Sequence, residues 1–196
     1  LVKMIAKGLL WFYGRPEISG KENIPNSGRV ILVANHRSLL DGFLLVAFWP
    51  KRISFLAAEY LFELPGVGCF LRVMGAIPIQ KRSTAIGLEF ATQVLQGGGT
   101  LSIFPEGRII DGKGLGPFKK GWAYLALKTG TTVIPVVITG TDSVVPVKTI
   151  IPRFGKIHMK IAASWKIEEV RDPKEDAMEA LNQRLASHME QMLTEI

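Results

Sequence analysis

The chain of 196 residues is poor in the residues that staple or ligate. Its single cysteine, Cys69, excludes an internal disulfide framework and a cysteine-based metal cluster, and suits a reducing compartment. Its three histidines, His36, His158 and His188, are scattered, so the spacing argues against a metal site. Long apolar runs are missing too. "GFLLVAFWP" (42–50) falls short of the about 20 apolar residues a spanning helix needs. "ISFLAAEYLFELPGVGCFLRVMGAIPI" is broken by Glu59, Glu63, Pro65 and Arg72. The opening "LVKMIAKGLLWFYGRP" is too short to span and carries no small-residue cleavage pattern. It begins at Leu1 rather than methionine, which leaves upstream residues open. Repeats, low-complexity tracts and long linkers are absent. So is any dense basic run interleaved with aromatics, which argues against nucleic acid as a partner.

What remains is one domain of moderate size, long enough to bury a core unaided. Hydrophobic residues make up 47% of it, within the globular range. Lysine and arginine number 24 against 17 acids, a net charge of +7. Such a surface attracts phosphate, whether on lipid, nucleotide or substrate.

Short apolar runs at 29–35, 53–58, 75–80, 100–104, 132–139 and 156–163 read as buried strands. Helical segments are expected at 38–48, 59–72 with a break at Pro65, 83–96 and 118–129. A last helix has Asp172 as cap, Pro173 at its first position and Glu175 at capping-box spacing. Met178, Leu181, Leu185, Met189 and Met192 form its apolar stripe. The alternation predicts an α/β fold: a single domain with a largely parallel central sheet flanked by helices. Residues 1–16 are expected to form an interfacial, amphipathic membrane-anchoring helix, and 17–196 the catalytic domain. Pro135, inside an apolar strand, marks an edge or a bulge.

In parallel sheets, sites form beyond the carboxyl ends of strands. Three runs end there in polar groups. "LVANHRSLLDG" (32–42) ends in His36 and, five residues on, Asp41. On one straight helix these would point roughly 140° apart. They can meet if His36 lies on the loop and Asp41 in the first turns of the following helix. The acid would then fix one ring nitrogen and leave the other as a base able to deprotonate a hydroxyl. Taken alone, His36 reads more simply as a residue that finishes a strand, with Asn35 and Ser38 as loop and cap. "GTLSIFPEGRIIDG" ends in Glu106, Gly107 and Arg108, and "GAIPIQKR" in Lys81 and Arg82. Each is an ordinary solvated turn by itself. Three such endings together are hard to assign to chance. The cations could clamp a phosphate monoester. The stretch 117–141 reads as scaffold, with Lys120 a candidate for electrostatic help.

At this point the sequence resembles the glycerolipid acyltransferases. "NHRSLLD" looks like their His-x-x-x-x-Asp signature. "GAIPIQKR", "FPEGR" and "VIPVVITGT" follow in the order and approximate spacing of that family's other blocks. The nearest subgroup is the lysophosphatidic acid (1-acylglycerol-3-phosphate) acyltransferases. The resemblance implies transfer of a fatty acyl group from a thioester, on coenzyme A or acyl carrier protein, to the free hydroxyl of lysophosphatidic acid, giving phosphatidic acid. His36 would be the base and Asp41 its orienting partner. Lys81, Arg82, Glu106, Gly107 and Arg108 would form the substrate site, with no metal and no cofactor beyond the acyl donor as co-substrate. The expected partners are the lipid substrate, the thioester carrier and a membrane surface, at whose cytoplasmic face the protein would lie without crossing. Two departures leave the phosphate-touching side chain open. Lys81 stands where the family has arginine, and Arg108 follows Glu-Gly at once, ahead of Ile109 and Ile110. Acylation of glycerol 3-phosphate or another lysophospholipid, and a non-catalytic lipid- or phosphate-binding module, are the alternatives.

Overall fold

The computed structural model describes residues 2–73, 75–80, 84–147, 149 and 151–196. In chain order the elements are α1 (Val2–Gly14), β1 (Glu17–Ser19), β2 (Val30–Ala34), α2 (Leu40–Phe48), β3 (Ile53–Ala58), α3 (Val67–Val73), β4 (Ile77–Ile79), α4 (Thr84–Gln96), β5 (Thr100–Ile103), α5 (Gly121–Thr129), β6 (Thr132–Thr139), α6 (Thr141–Val144), β7 (His158–Ile161) and α7 (Glu175–Thr194). The strands form one sheet in the order β1-β7-β6-β2-β5-β3-β4. The five from β6 to β4 are parallel. β7 returns antiparallel to β6, and β1 pairs parallel with β7.

The continuous apolar runs are explained by burial on both faces. Val30, Leu32 and Ala34 of β2 point into a core shared with α1, α2 and the Val144–Val145 segment. Ile31 and Val33 point into a second core shared with α4, α5 and α7. With period-two alternation, a strand covered on both sides can be apolar throughout. α2 follows β2 on one face, while α5 follows β5 on the other. Departures to opposite faces from neighbouring strands open a crevice at their carboxyl ends.

Of three local expectations, the break at Pro65 and a bulge near Pro135 are found, while the helical form of 59–63, the edge position of Pro135 and the Asp172 cap are corrected. The 59–72 segment splits into a 3-10 turn, Glu59–Glu63, and the short α3 beyond Pro65 and Gly66. Asp172 does not cap the last helix. Lys174 stands at the cap in extended conformation, and the Glu175 side chain is taken by Lys120. Pro135 is central, between β2 and β7, and the bulge lies opposite it. Val136 faces Ile161 whereas Val133 faces Trp165, three steps on one strand against four on the other. The Pro135 carbonyl still accepts the Ala162 N–H at 2.9 Å.

No helix among the described residues is long and apolar enough to cross a membrane. α1 is held to the domain by its inner side: Ala6 and Leu10 are buried, and Lys3 Nζ donates to the carbonyls of Trp49, Pro50 and Lys51 at the end of α2. Its opposite side exposes Met4, Trp11 and Phe12.

Candidate active site

His36 lies on the loop after β2, and Asp41 in the first turn of α2. His36 Nδ1 is 2.9 Å from Asp41 Oδ2. The same oxygen accepts the main-chain N–H groups of Arg37 at 2.6 Å and Ser38 at 2.8 Å. These are donors that the start of a helix leaves without intrahelical partners. The other oxygen, Oδ1, accepts the Thr141 hydroxyl at 2.6 Å. Both Asp41 and Thr141 are fully buried. A carboxylate surrounded by donors accepts from the ring, so Nδ1 carries the hydrogen. The lone pair is then on Nε2, which has no protein partner among the described residues. The His36 side chain keeps 17% of its surface exposed.

The imidazole is fixed from a second side. Its ring stacks on Phe104, with centroids 4.0 Å apart. The His36 main chain is held at both ends: its N–H donates to Glu106 Oε2 at 2.7 Å, and its carbonyl accepts the Ile110 N–H at 2.8 Å. Asn35, one residue earlier, bridges to β6. Its Nδ2 donates to the Ile138 carbonyl at 2.8 Å, and its Oδ1 accepts the Ile138 N–H at 2.7 Å.

Glu106 is nearly buried, and its Oε1 accepts the Gly116 N–H at 3.1 Å. Both oxygens thus face main-chain donors rather than open space. Burial pushes its pKa above the usual carboxylate range, against the opposing pull of the Gly116 and His36 N–H groups. Gly107 has a φ of +65°, and a Cβ there would stand 2.6 Å from Lys119 Nζ. The left-handed backbone is what favours glycine here, since the end of the Lys119 side chain can swing aside. Arg108 is exposed on the same turn. Lys81 and Arg82 lie outside the described residues. Lys120 is paired with Glu175 and Glu179 of α7, while Lys119 takes the place over Gly107. No group of His, Cys, Asp and Glu side chains among the described residues could hold a metal ion.

Thr141, Phe104 and Arg37 are the site residues that sequence reasoning did not single out. Arg37 donates to Asp142 at 2.7 Å and to the Gly114 carbonyl at 3.3 Å, joining α6 to the glycine-rich loop after Glu106. One signal for Thr141 was available: a fourth strand, β6, also ends in a polar residue, and β6 adjoins β2. Beside this polar cluster, Leu9, Leu10 and Tyr13 of α1, Leu40 and Phe43 of α2, and Val145 line an apolar cavity of about 230 Å³.

A base oriented by a buried acid at the carboxyl edge of parallel strands is equipment for activating a hydroxyl. The acyltransferase family model matches residues 15–139, from just before β1 to the end of β6, and the chain belongs to that family. It is 32% identical over 151 residues to the 1-acyl-sn-glycerol-3-phosphate acyltransferase BAT2, chloroplastic, of Brassica napus, covering 74% of this chain and 43% of that protein. It is 34% identical over 147 residues to the 1-acyl-sn-glycerol-3-phosphate acyltransferase of Borreliella burgdorferi, covering 73% of this chain and 59% of that one. The chain thus spans about half the length of these curated relatives. Among solved structures it resembles the 1-acyl-sn-glycerophosphate (LPA) acyltransferase PlsC from Thermotoga maritima. The TM-score is 0.80 at 27% identity, over 98% of this chain and 78% of that one.

Proposed function

We propose that the protein transfers a fatty acyl group from a thioester to the free hydroxyl of lysophosphatidic acid, giving phosphatidic acid. The observation that carries this is the His36–Asp41 pair, with Nδ1 committed to the acid at 2.9 Å and Nε2 left to a substrate. The names of the relatives support the choice of acceptor.

Nε2 takes the proton as the acceptor oxygen attacks the thioester carbonyl. The tetrahedral intermediate then collapses, the carbon–sulfur bond breaks, and the imidazolium returns the proton to the departing sulfur. Asp41 fixes the ring and stabilises its charged form. A placed base contributes about 10²–10⁴-fold. The acceptor supplies its own oxygen, so no acyl-enzyme is required, and the reaction asks for no cofactor beyond acyl-CoA or the acyl carrier protein thioester. Lys81, Arg82 and Arg108 are the cations assigned to the acceptor's phosphate. Gly107 lets the backbone approach it, and Glu106 acts on it indirectly, by holding the histidine loop. The apolar cavity beside Leu40 suits a hydrocarbon chain. α1 lies along the cytoplasmic face of a membrane with Met4, Trp11 and Phe12 outward.

The test is His36→Ala, assayed with several lysolipids, glycerol 3-phosphate and both thioester carriers, with products weighed by mass spectrometry. Turnover is expected to fall by about 10²-fold or more while vesicle binding is kept. Unchanged turnover removes His36 as the base.

A further inference from the structure

We propose that Val147, Ile151 and Phe154, on the stretch that follows α6, are a second lipid-contacting element, which with α1 forms one face seated on an anionic bilayer. Ile151 is 71% exposed and Phe154 72%, and Val147 is exposed as well. These are large apolar side chains within a few residues of one another. Phe154 adjoins the outer side of α1, where Trp11 is 64% exposed and Phe12 63%. The Phe154 ring lies 5.5 Å from Phe12 and 5.4 Å from Tyr13.

The two elements form a rigid unit. The Gly155 N–H donates to the Tyr13 carbonyl at 2.9 Å, and the Ile157 N–H to the Gly14 carbonyl at 2.8 Å. These are carbonyls of the last turn of α1, which have no partner within the helix. The Arg153 N–H donates to the Val144 carbonyl at 2.7 Å and ties the stretch back to α6. A contiguous apolar face of this kind marks an interaction surface.

Charge selects the occupant. Residues 1–16 and 143–157 contain no aspartate or glutamate and carry Lys7, Arg15, Arg153 and Lys156 among their cations, while the acids that flank them, Glu17 and Asp142, are paired with His158 and Arg37. Apolar side chains set among cations, without acids, match an anionic lipid surface. A second copy of this chain would bring like charges together across a two-fold axis. The stretch also continues directly from the site. Thr141 holds Asp41, Asp142 holds Arg37, and the Val145 carbonyl accepts the Ser38 hydroxyl at 2.7 Å. A lipid beneath Ile151 therefore lies a few residues along the chain from the segment that orients the base. The inference rests on the reading that the acceptor is a bilayer lipid.

The experiment uses the full chain with Cys69→Ser and one new cysteine, Ile151→Cys or Val147→Cys, carrying a polarity-sensitive dye. Trp11→Cys is labelled in parallel. Phosphatidylglycerol vesicles, with and without quencher-labelled acyl chains, are then added. A blue shift at 151 or 147 with quenching from the acyl chains is the expected result. The unlabelled variants Ile151→Asp and Phe154→Asp should each lose about tenfold or more in vesicle partitioning, with unchanged melting. If the dye at 151 and 147 stays in water while that at 11 enters lipid, the second element is overturned and α1 alone is the anchor. If all three stay in water, the bilayer reading of α1 falls as well. A concentration-dependent shift without vesicles would assign the face to self-association and overturn the proposal.

Discussion

At the scale of single residues, the site depends on who donates to whom. Thr141 is the only side-chain hydroxyl on Asp41 among the described residues, and both side chains are fully buried. Thr141→Val keeps the shape and removes the donor, leaving a buried carboxylate oxygen short of a partner at a cost of about 1–3 kcal/mol. Turnover should fall roughly tenfold, the effect of about 1.4 kcal/mol on a barrier, with little change in KM. Thr141→Ser should restore it. Steady-state kinetics of the three proteins decide this. Glu106 gives a second test. In Glu106→Gln, the amide nitrogen must face one of two main-chain N–H groups, so the variant should be about 1–3 kcal/mol less stable by urea unfolding. Because burial raises the folded pKa of Glu106, its contribution to stability is full below the unfolded carboxylate pKa, about 4.3, and is lost as pH rises through the folded value. The glutamine does not titrate. The gap between the two proteins should therefore narrow as pH rises through that window.

At the scale of elements, α7 and α5 are coupled through one buried amide. Trp122 Nε1 donates to Asn182 Oδ1 at 2.9 Å, and Asn182 Nδ2 donates to the Phe118 carbonyl at 3.1 Å. Asn182→Leu strips both groups of a partner. A loss of about 2 kcal/mol would lower Tm by roughly 4–8 °C in a domain of this size, measurable by calorimetry. The same elements show what sequence could and could not supply. The strands were legible because burial on both faces leaves a mostly apolar run, broken by no more than a small hydroxyl such as Ser54 or Ser102 in the central strands, and β2 and β6 end where the first polar side chains, Asn35 and Thr139, appear. The stripe on α7 was legible by its period. Its start was not, because Glu175 is used by Lys120, a contact across 55 residues that local spacing does not register. β1 and α6 are three and four residues long, too short to show any period. The His36–Asp41 spacing pointed to a pair. Thr141, a hundred residues from Asp41, became visible only when β6 took its place beside β2.

At the scale of the whole molecule, the net charge of +7 is carried in part by the acid-free segments 1–16 and 143–157. Binding to vesicles of anionic lipid should weaken steeply as sodium chloride rises from about 0.05 to 0.5 M, where the screening length falls to a few ångströms. Residual binding at high salt would report the apolar side chains alone, and co-sedimentation across the series separates the two contributions. The Asn35 side chain has a consequence of its own. By taking both the N–H and the C=O of Ile138, it imitates a peptide group, so the ladder between β2 and β6 continues one rung past the last strand residue. The amide proton of Ile138 is thereby locked by the residue that precedes His36. Its rate of exchange with deuterated solvent is a clock on every excursion of the histidine loop, readable in the resting protein with no substrate present.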